Sequence, residues 1–107
     1  MFMVEHYCTP QGEDLFGAWF AGLADRQARA RIAARLERLE AGNFGDCKAL
    51  RDGVWELRVD WGPGYRVYYA REGRAVIVLL VAGDKRRQSA DVKRAVACWQ
   101  ELQRRRS

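Results

Sequence analysis

With 107 residues, the chain has room for one domain, 1–107, built around a single hydrophobic core. No apolar run approaches the roughly 18 residues of a membrane span, and the amino terminus lacks the basic-then-apolar pattern of a secretory signal. Three cysteines without CxxC spacing predict free thiols in a reducing compartment, and a single histidine argues against a His-based metal site.

The formal net charge of +5 is unevenly distributed along the chain. Residues 1–21 hold three acidic groups and no Lys or Arg, which gives −3. The remaining residues hold 19 basic groups against 11 acidic ones, which gives +8, and most of the basic groups are arginine. Arginine binds phosphate and carboxylate through a planar fork. The distribution is typical of a protein with a polyanionic partner, either nucleic acid or an acidic protein, and equally of a basic surface that is merely solvated.

One strand and two helices are predicted in the amino-terminal part of the chain. Residues 3–8 are β-prone, and Thr9-Pro10 is typical of a cap followed by proline in the first turn, which predicts a short helix over 11–21. Asp25 predicts the cap of a second helix over 25–41, which has an apolar inner stripe. Five arginines on its predicted outer face are expected to be solvated: Arg26, Arg29, Arg31, Arg35 and Arg38.

Three consecutive antiparallel strands are predicted between residues 53 and 85, after a loop over 43–52. Apolar and charged residues alternate over 54–61, which is the period of a strand with one buried face. Gly62-Pro63-Gly64 predicts a chain reversal before the second strand, and a continuous apolar run over 75–82 predicts a strand covered on both sides. The tryptophans of this region and of the last helix, Trp55, Trp61 and Trp99, are assigned to the core.

A polar turn over 83–88 follows, and Ser89 predicts the cap of a final helix that ends in frayed arginines, 104–106. The order β-α-α-β-β-β-α predicts an α+β fold with helices packed on one face of a largely antiparallel sheet. The other face of that sheet is expected to carry polar side chains from the two hairpin strands: Glu56, Arg58, Arg66 and Tyr68.

Several sequence elements between residues 53 and 88 occur together in this chain. The string GVWELRVDWGPGYRVYYA, residues 53–70, is followed by an apolar strand, by GDK at 83–85 and by Gln88. Together with the helices before and after, these elements resemble the RelE/ParE toxin superfamily, and most closely its HigB-like branch of phage-derived or addiction-module killer proteins. The resemblance covers nearly the whole chain and implies a RelE-like fold.

The resemblance implies a cytoplasmic toxin of a type II toxin–antitoxin system, neutralised by a cognate antitoxin that is a helix-turn-helix protein. It further implies a ribosome-dependent mRNA endonuclease that works without a metal or other cofactor and blocks translation. Two alternatives remain open: a ParE-like inhibitor that binds DNA gyrase, and a non-catalytic basic interaction module. The chain departs from similar members in carrying Arg86-Arg87 where they have Ser-Thr. It also carries Glu56 and Arg58 where ribosome-dependent relatives place lysines.

Metal-free RNA cleavage needs a base for the 2′-hydroxyl, an acid for the leaving 5′-oxygen and cations for the phosphorane charge. Arg66 is the first candidate ligand of the scissile phosphate, and Arg58 is the second. Glu56 is either the base or an ion-pair partner of one of these arginines. Lys85 is the candidate acid, or a ligand of a flanking phosphate. The predicted RNA-binding residues are Arg86, Arg87, Lys48 and Tyr68, the last by stacking on a base.

Overall fold

The structure, a computed structural model that describes residues 1–107, is built on a five-stranded sheet. The strands in chain order are β1 (Met3–His6), β2 (Cys47–Ala49), β3 (Val54–Val59), β4 (Tyr65–Glu72) and β5 (Val76–Asp84). They lie side by side in the order β1-β5-β4-β3-β2, and only the β1–β5 pair is parallel. The predicted α+β class with a largely antiparallel sheet is therefore confirmed.

Three helices cover this sheet. They are α1 (Leu15–Ala21), α2 (Arg26–Glu40) and α3 (Gln88–Arg106), and a 3₁₀ turn, Lys85–Arg87, leads directly into α3. None of them combines the length and the apolar composition that crossing a bilayer requires. The prediction that Asp25 caps the second helix is confirmed, because its carboxylate accepts from the backbone N–H groups of Gln27 and Ala28 at 2.9 and 3.2 Å.

Alternate residues of the strands belong to two different hydrophobic clusters. Leu57 and Tyr69 pack with α1 and α2 on one face, in agreement with the predicted arrangement. Val54 and Tyr68 pack on the opposite face with α3, where Trp99 is a central residue. The face predicted to be open and polar is thus covered by α3 along part of its length. The prediction that the last strand is covered on both sides is confirmed by β5, which contributes to both clusters.

The first helix begins later than predicted. Asp14, rather than Thr9, caps α1 by accepting from the backbone N–H of Gly17 at 2.9 Å. The Thr9 hydroxyl instead accepts from the N–H of Glu13 at 3.0 Å and so closes a separate turn. Gly12 within that turn has φ of +88°, a left-handed conformation that helical residues do not adopt. The prediction of a helix over 11–21 was wrong for its first four positions.

The segment predicted as a loop over 43–52 contains the edge strand β2. Cys47–Ala49 is only three residues long, too short for its alternation to predict a strand, and its backbone pairing with β3 is what makes it one. Asp52 and Gly53 then turn the chain with φ of 54° and 84°. A side chain on Gly53 would begin 2.9 Å from the Trp99 indole nitrogen, so glycine lets the turn lie directly against α3.

The carboxy terminus differs from the prediction at both ends of its helix. Asp84, not Ser89, provides the cap there, since it accepts from the backbone N–H of Arg86 at 2.9 Å and starts the 3₁₀ turn. At the far end, the helix continues to Arg106 rather than fraying. Arg105 pairs with Glu101 and donates to the carbonyl of Cys8 at 2.8 Å, which ties the last turn to the start of the chain. Basic side chains near a helix carboxyl end also suit its dipole.

Candidate nucleic-acid interface

One end of the sheet face that α3 covers remains open and carries an uncommon pair of side chains. Arg58 of β3 lies directly opposite Arg66 of β4, and Arg66 in turn lies opposite Gly83 of β5. Like charges at directly opposed positions destabilise a sheet, unless carboxylates or a bound anion offset their repulsion. The two arginines help to line an open groove of about 330 Å³, together with Lys85, Asp46, Asp60 and the Gly62–Gly64 turn. Apart from the ring of Pro63, no apolar side chain lines it.

Arg58 is held across the groove by Asp46. Its Nε and Nη2 atoms donate to the same carboxylate oxygen at 3.1 and 2.7 Å, and this bonding raises the pKa of Arg58. Asp46 is positioned in turn by Arg35 of α2, which donates to the carbonyls of Asp46 at 3.3 Å and of Arg58 at 2.5 Å. Arg35 therefore braces the site, and the prediction that it is simply solvated was wrong.

Arg66 leaves the core row of its strand, as its alternation with Tyr65 and Val67 predicts. Its side chain is only 13% exposed, and its Nε lies 3.6 Å from a carboxylate oxygen of Glu56. That distance is that of an ion pair rather than of a hydrogen bond. Nη1 donates to the carbonyl of Tyr65 at 3.2 Å. The guanidinium is thus held on its protein side by Glu56 and the Tyr65 carbonyl, and its other side lines the groove.

Glu56 is buried, with 1% of its surface exposed. One of its carboxylate oxygens accepts from the side-chain amide of Gln88, the first residue of α3, at 2.6 Å, and the other faces Arg66. Of the two predicted roles, the ion-pair partner is the one this arrangement provides. A base must reach its proton, and Glu56 does not line the groove.

Tyr68 is completely buried under α3, so the prediction that it stacks on an RNA base was wrong. Its hydroxyl has no hydrogen-bond partner, and burial, with the nearby charges of Glu56 and Asp91, raises its pKa. The carboxylate of Asp91 occupies the space above Gly83, where a side chain would begin 2.1 Å from its oxygen. Burial raises the pKa of Asp91 as well.

The remaining predicted residues are dispersed. Lys85 lines the groove, and its backbone N–H donates to the carbonyl of Gly64 at 2.7 Å. Arg86 points away and pairs with Asp84, whereas Arg87 lines a separate shallow pocket beside α3. Lys48 lies on the edge strand opposite Glu56 and is exposed outside the groove. Of the eight predicted site residues, the structure brings three together in the groove: Arg58, Arg66 and Lys85.

Two carboxylates of the groove were missed as site residues. Asp60 follows Arg58 by two positions, so the strand alternation that placed Arg58 on this face also indicated Asp60. Asp46 had no such signal, because it reaches the groove only through the pairing of β2 with β3. No three His, Cys, Asp or Glu side chains converge in the way that a metal site requires.

Comparison with known proteins places most of this chain in one family. Residues 18–98 match the model of a family described as phage derived protein Gp49-like. The chain is also 46% identical over 87 residues to an uncharacterized protein of Haemophilus influenzae, an alignment that covers 81% of this chain and 88% of that protein. The family match includes β2 to β5 and every residue that lines the groove.

Proposed function

The chain belongs to the Gp49-like family of phage-derived proteins, and we propose that it is the toxin of a type II toxin–antitoxin pair that cleaves mRNA on the ribosome. The observation that carries this proposal is the open polar groove in which Arg58 and Arg66 stand opposite each other beside Lys85. Membership of a phage-derived family is consistent with an addiction module. The likeness of residues 53–88 to the HigB-like branch of the RelE/ParE superfamily supports the same role.

A scissile phosphate fits between the two opposed arginines. Arg66 is held by its ion pair with Glu56 and by its hydrogen bond to the Tyr65 carbonyl, so its guanidinium keeps its direction without reorganising when negative charge develops on the phosphate. Arg58 exchanges its contact with Asp46 for one with a phosphate oxygen. Each contact strengthens as the phosphorane forms, which is how preorganised donors lower a barrier.

Proton transfer in this proposal uses groups at the rim of the groove. Asp60 is exposed and takes part in no ion pair, so its carboxylate is available to accept the 2′-hydroxyl proton. The 2′-oxygen bonds to phosphorus, the bond from phosphorus to the 5′-oxygen breaks, and Lys85 gives a proton to that leaving oxygen. The products are a 2′,3′-cyclic phosphate and a 5′-hydroxyl, and no metal or cofactor takes part.

The proposal includes a cognate antitoxin, a helix-turn-helix protein, and action in the cytoplasm. The test is brief induction of the chain alone in growing bacteria, followed by mapping of transcript ends. We expect growth arrest, relief by the antitoxin, and in-frame cuts that disappear when translation of the message is blocked. Normal growth with abundant folded protein would count against an active toxin.

A second candidate is a gyrase inhibitor that acts by binding alone. The observation in its favour is the burial of Glu56, which removes from the groove the carboxylate that the sequence offered as a base. Growth arrest without transcript cleavage, accompanied by loss of supercoiling activity of purified gyrase, would select this candidate. Arrest with translation-dependent cuts and normal gyrase activity would reject it.

A further inference from the structure

A second cluster of arginines lies next to the groove, on α2. Arg31, Arg35 and Arg38 occupy positions i, i+4 and i+7, which places them on one stripe of the helix. This α2 arginine stripe lines a shallow pocket of about 200 Å³ that is closed on the other side by Val59 and Asp60. Asp60 also lines the groove, so the pocket and the groove adjoin at the end of β3.

The three arginines of the stripe are not equivalent. Arg35 directs its donors at the carbonyls of Phe44, Asp46 and Arg58 and is occupied by the protein itself. Arg38 is exposed and makes no ion pair. The guanidinium of Arg31 lies 3.9 Å above the ring of Trp61, and the Trp61 indole N–H donates to Asp25 at 3.1 Å. Trp61, predicted to be a core residue, is half-buried against the hydrophobic cluster of α1 and α2, and its ring also holds an arginine at the surface.

A guanidinium stacked on an aromatic ring keeps its N–H donors at its edge, where a phosphate binds in its plane. Arg31 therefore has a fixed direction at little conformational cost, and Arg38 adds a second free cation two turns along the same stripe. Arg35 ties this stripe rigidly to the backbone of Arg58 in the groove. Two cation sites thus lie side by side on one rigid surface.

We propose that the α2 arginine stripe is a second phosphate-binding subsite, through Arg31 and Arg38, for single-stranded RNA whose neighbouring phosphate occupies the groove. This inference rests on the proposed function for the identity of the polyanion as RNA. Asp60, the carboxylate between the two subsites, repels the sugar-phosphate backbone that passes it. Asp60 therefore limits the affinity of the groove and the α2 arginine stripe for RNA, and we expect the bound RNA to dissociate readily.

The test compares RNAs of two lengths against purified full-length protein. The probes are a dinucleoside monophosphate, which fills only the groove, and a single-stranded RNA of about eight nucleotides, which is long enough to reach both subsites. For Arg31→Gln/Arg38→Gln we expect about tenfold weaker binding of the longer RNA at low salt. We also expect the slope of log affinity against log salt to fall by about 0.7 per arginine. Binding of the dinucleoside monophosphate should not change.

The matched control is Arg26→Gln/Arg74→Gln, which removes the same net charge from exposed positions outside both pockets. Circular dichroism establishes that all variants are folded. Asp60→Asn should bind the longer RNA more tightly than the unmodified protein, although the proposed function predicts that it cleaves less. Unchanged binding of the longer RNA by the stripe variant, or an equal loss in the control, would overturn the subsite.

A stripe variant that keeps its RNA affinity but loses its antitoxin would assign the stripe to a protein partner and likewise overturn the proposal. Failure of the proposed function and failure of the second subsite give different experimental results. A chain that binds RNA along both subsites yet leaves transcripts intact during induction would refute the endonuclease and leave the subsite standing.

Discussion

The two ends of the sheet face that α3 packs on differ in whether they are covered. At one end Glu56 and Tyr68 are buried under α3, and at the other Arg58 and Arg66 line an open groove. All four residues come from the same two strands and follow the same alternation. The division falls where α3 begins, because Gln88 at its first position reaches Glu56 while the Gly62–Gly64 turn stays uncovered.

A polar side chain that faces away from the core row can therefore have either of two roles: it can support a neighbour from a buried position, or it can line the open groove. Beneath α3, Glu56 is removed from water, accepts a hydrogen bond from the Gln88 amide and has its charge balanced by Arg66. In the groove, Arg66 uses that buried carboxylate as its support. Under the proposed function, Glu56 is therefore a positioning residue rather than a catalytic one, and the exposed end of the face depends on the covered end.

The largest expected effect follows from removing Arg66, which connects the two ends. Arg66→Ala leaves Glu56 as an unpaired buried carboxylate, so we expect the free energy of unfolding to fall by about 3 kcal/mol. Under the proposed function, loss of a preorganised donor should also cost about a hundredfold in cleavage rate. Urea denaturation and toxicity at matched expression measure the two effects separately. Arg66→Lys, which keeps the charge but not the fork, should restore toxicity only in part.

The companion variant Glu56→Gln/Arg66→Ala separates stability from chemistry. It removes both charges, so most of the lost stability should return while toxicity stays absent. Arg74→Ala, an exposed arginine with no ion pair, is the control and should change neither quantity. Full toxicity of the double variant would show that the groove is not the active site.

A smaller effect is expected where α3 meets the sheet at Gly83. Gly83→Ala would place its new methyl group 2.1 Å from the Asp91 carboxylate, so the Asp91 side chain, or the start of α3 that carries it, must shift. Overpacking of this kind costs about 1–3 kcal/mol, which urea denaturation of the variant would detect. Because the clash is with one side chain, Gly83→Ala/Asp91→Ala should recover much of the loss. A Gly83→Ala protein as stable as the original would mean that the Asp91 side chain moves aside at little cost.

The far end of α3 offers a pH-dependent comparison. Hydrogen bonds from Arg105 and Tyr7 lower the pKa of Glu101 from 4.5 to about 2. A depressed carboxyl pKa contributes stability that is present above the unfolded value and is lost as the pH falls from about 4.5 through about 2. We expect Glu101→Gln to melt at a lower temperature than the original at pH 7, and the difference to shrink in that window. A difference independent of pH would exclude the ionised carboxylate as its source.

The smallest effect is expected at Tyr68. Its hydroxyl is buried without a partner, so Tyr68→Phe removes a desolvated polar atom and leaves the packing of the ring intact. The free energy of unfolding should stay the same or rise by up to about 1 kcal/mol, and toxicity should not change. Reduced toxicity at equal stability would indicate that the hydroxyl reaches the reaction after all.

Period-2 alternation was sufficient to assign strands and faces in the central hairpins. It placed Leu57 and Tyr69 in the core and directed Arg58 and Arg66 away from it, because successive side chains of a strand must point to opposite sides. The second helix was likewise predicted with its cap at Asp25, since a carboxylate before an apolar 3.6-residue stripe satisfies free N–H groups. These are local rules, and local information was enough for them.

Only the tertiary structure decided which part of the polar sheet face α3 covers and which segment pairs with β3 at the sheet edge. Whether the polar face is open depends on where α3 lies, and neither Glu56 nor Tyr68 carries a local sign of being buried beneath it. The strand β2 exists because its backbone pairs with β3, and Asp46 reaches Arg58 through that pairing. The strands of the central hairpins and their two faces follow from the sequence alone because they depend on near neighbours, and the excess of arginine is a matter of composition. Long-range packing alone decided which of those side chains meet water, because burial depends on residues far away in the chain.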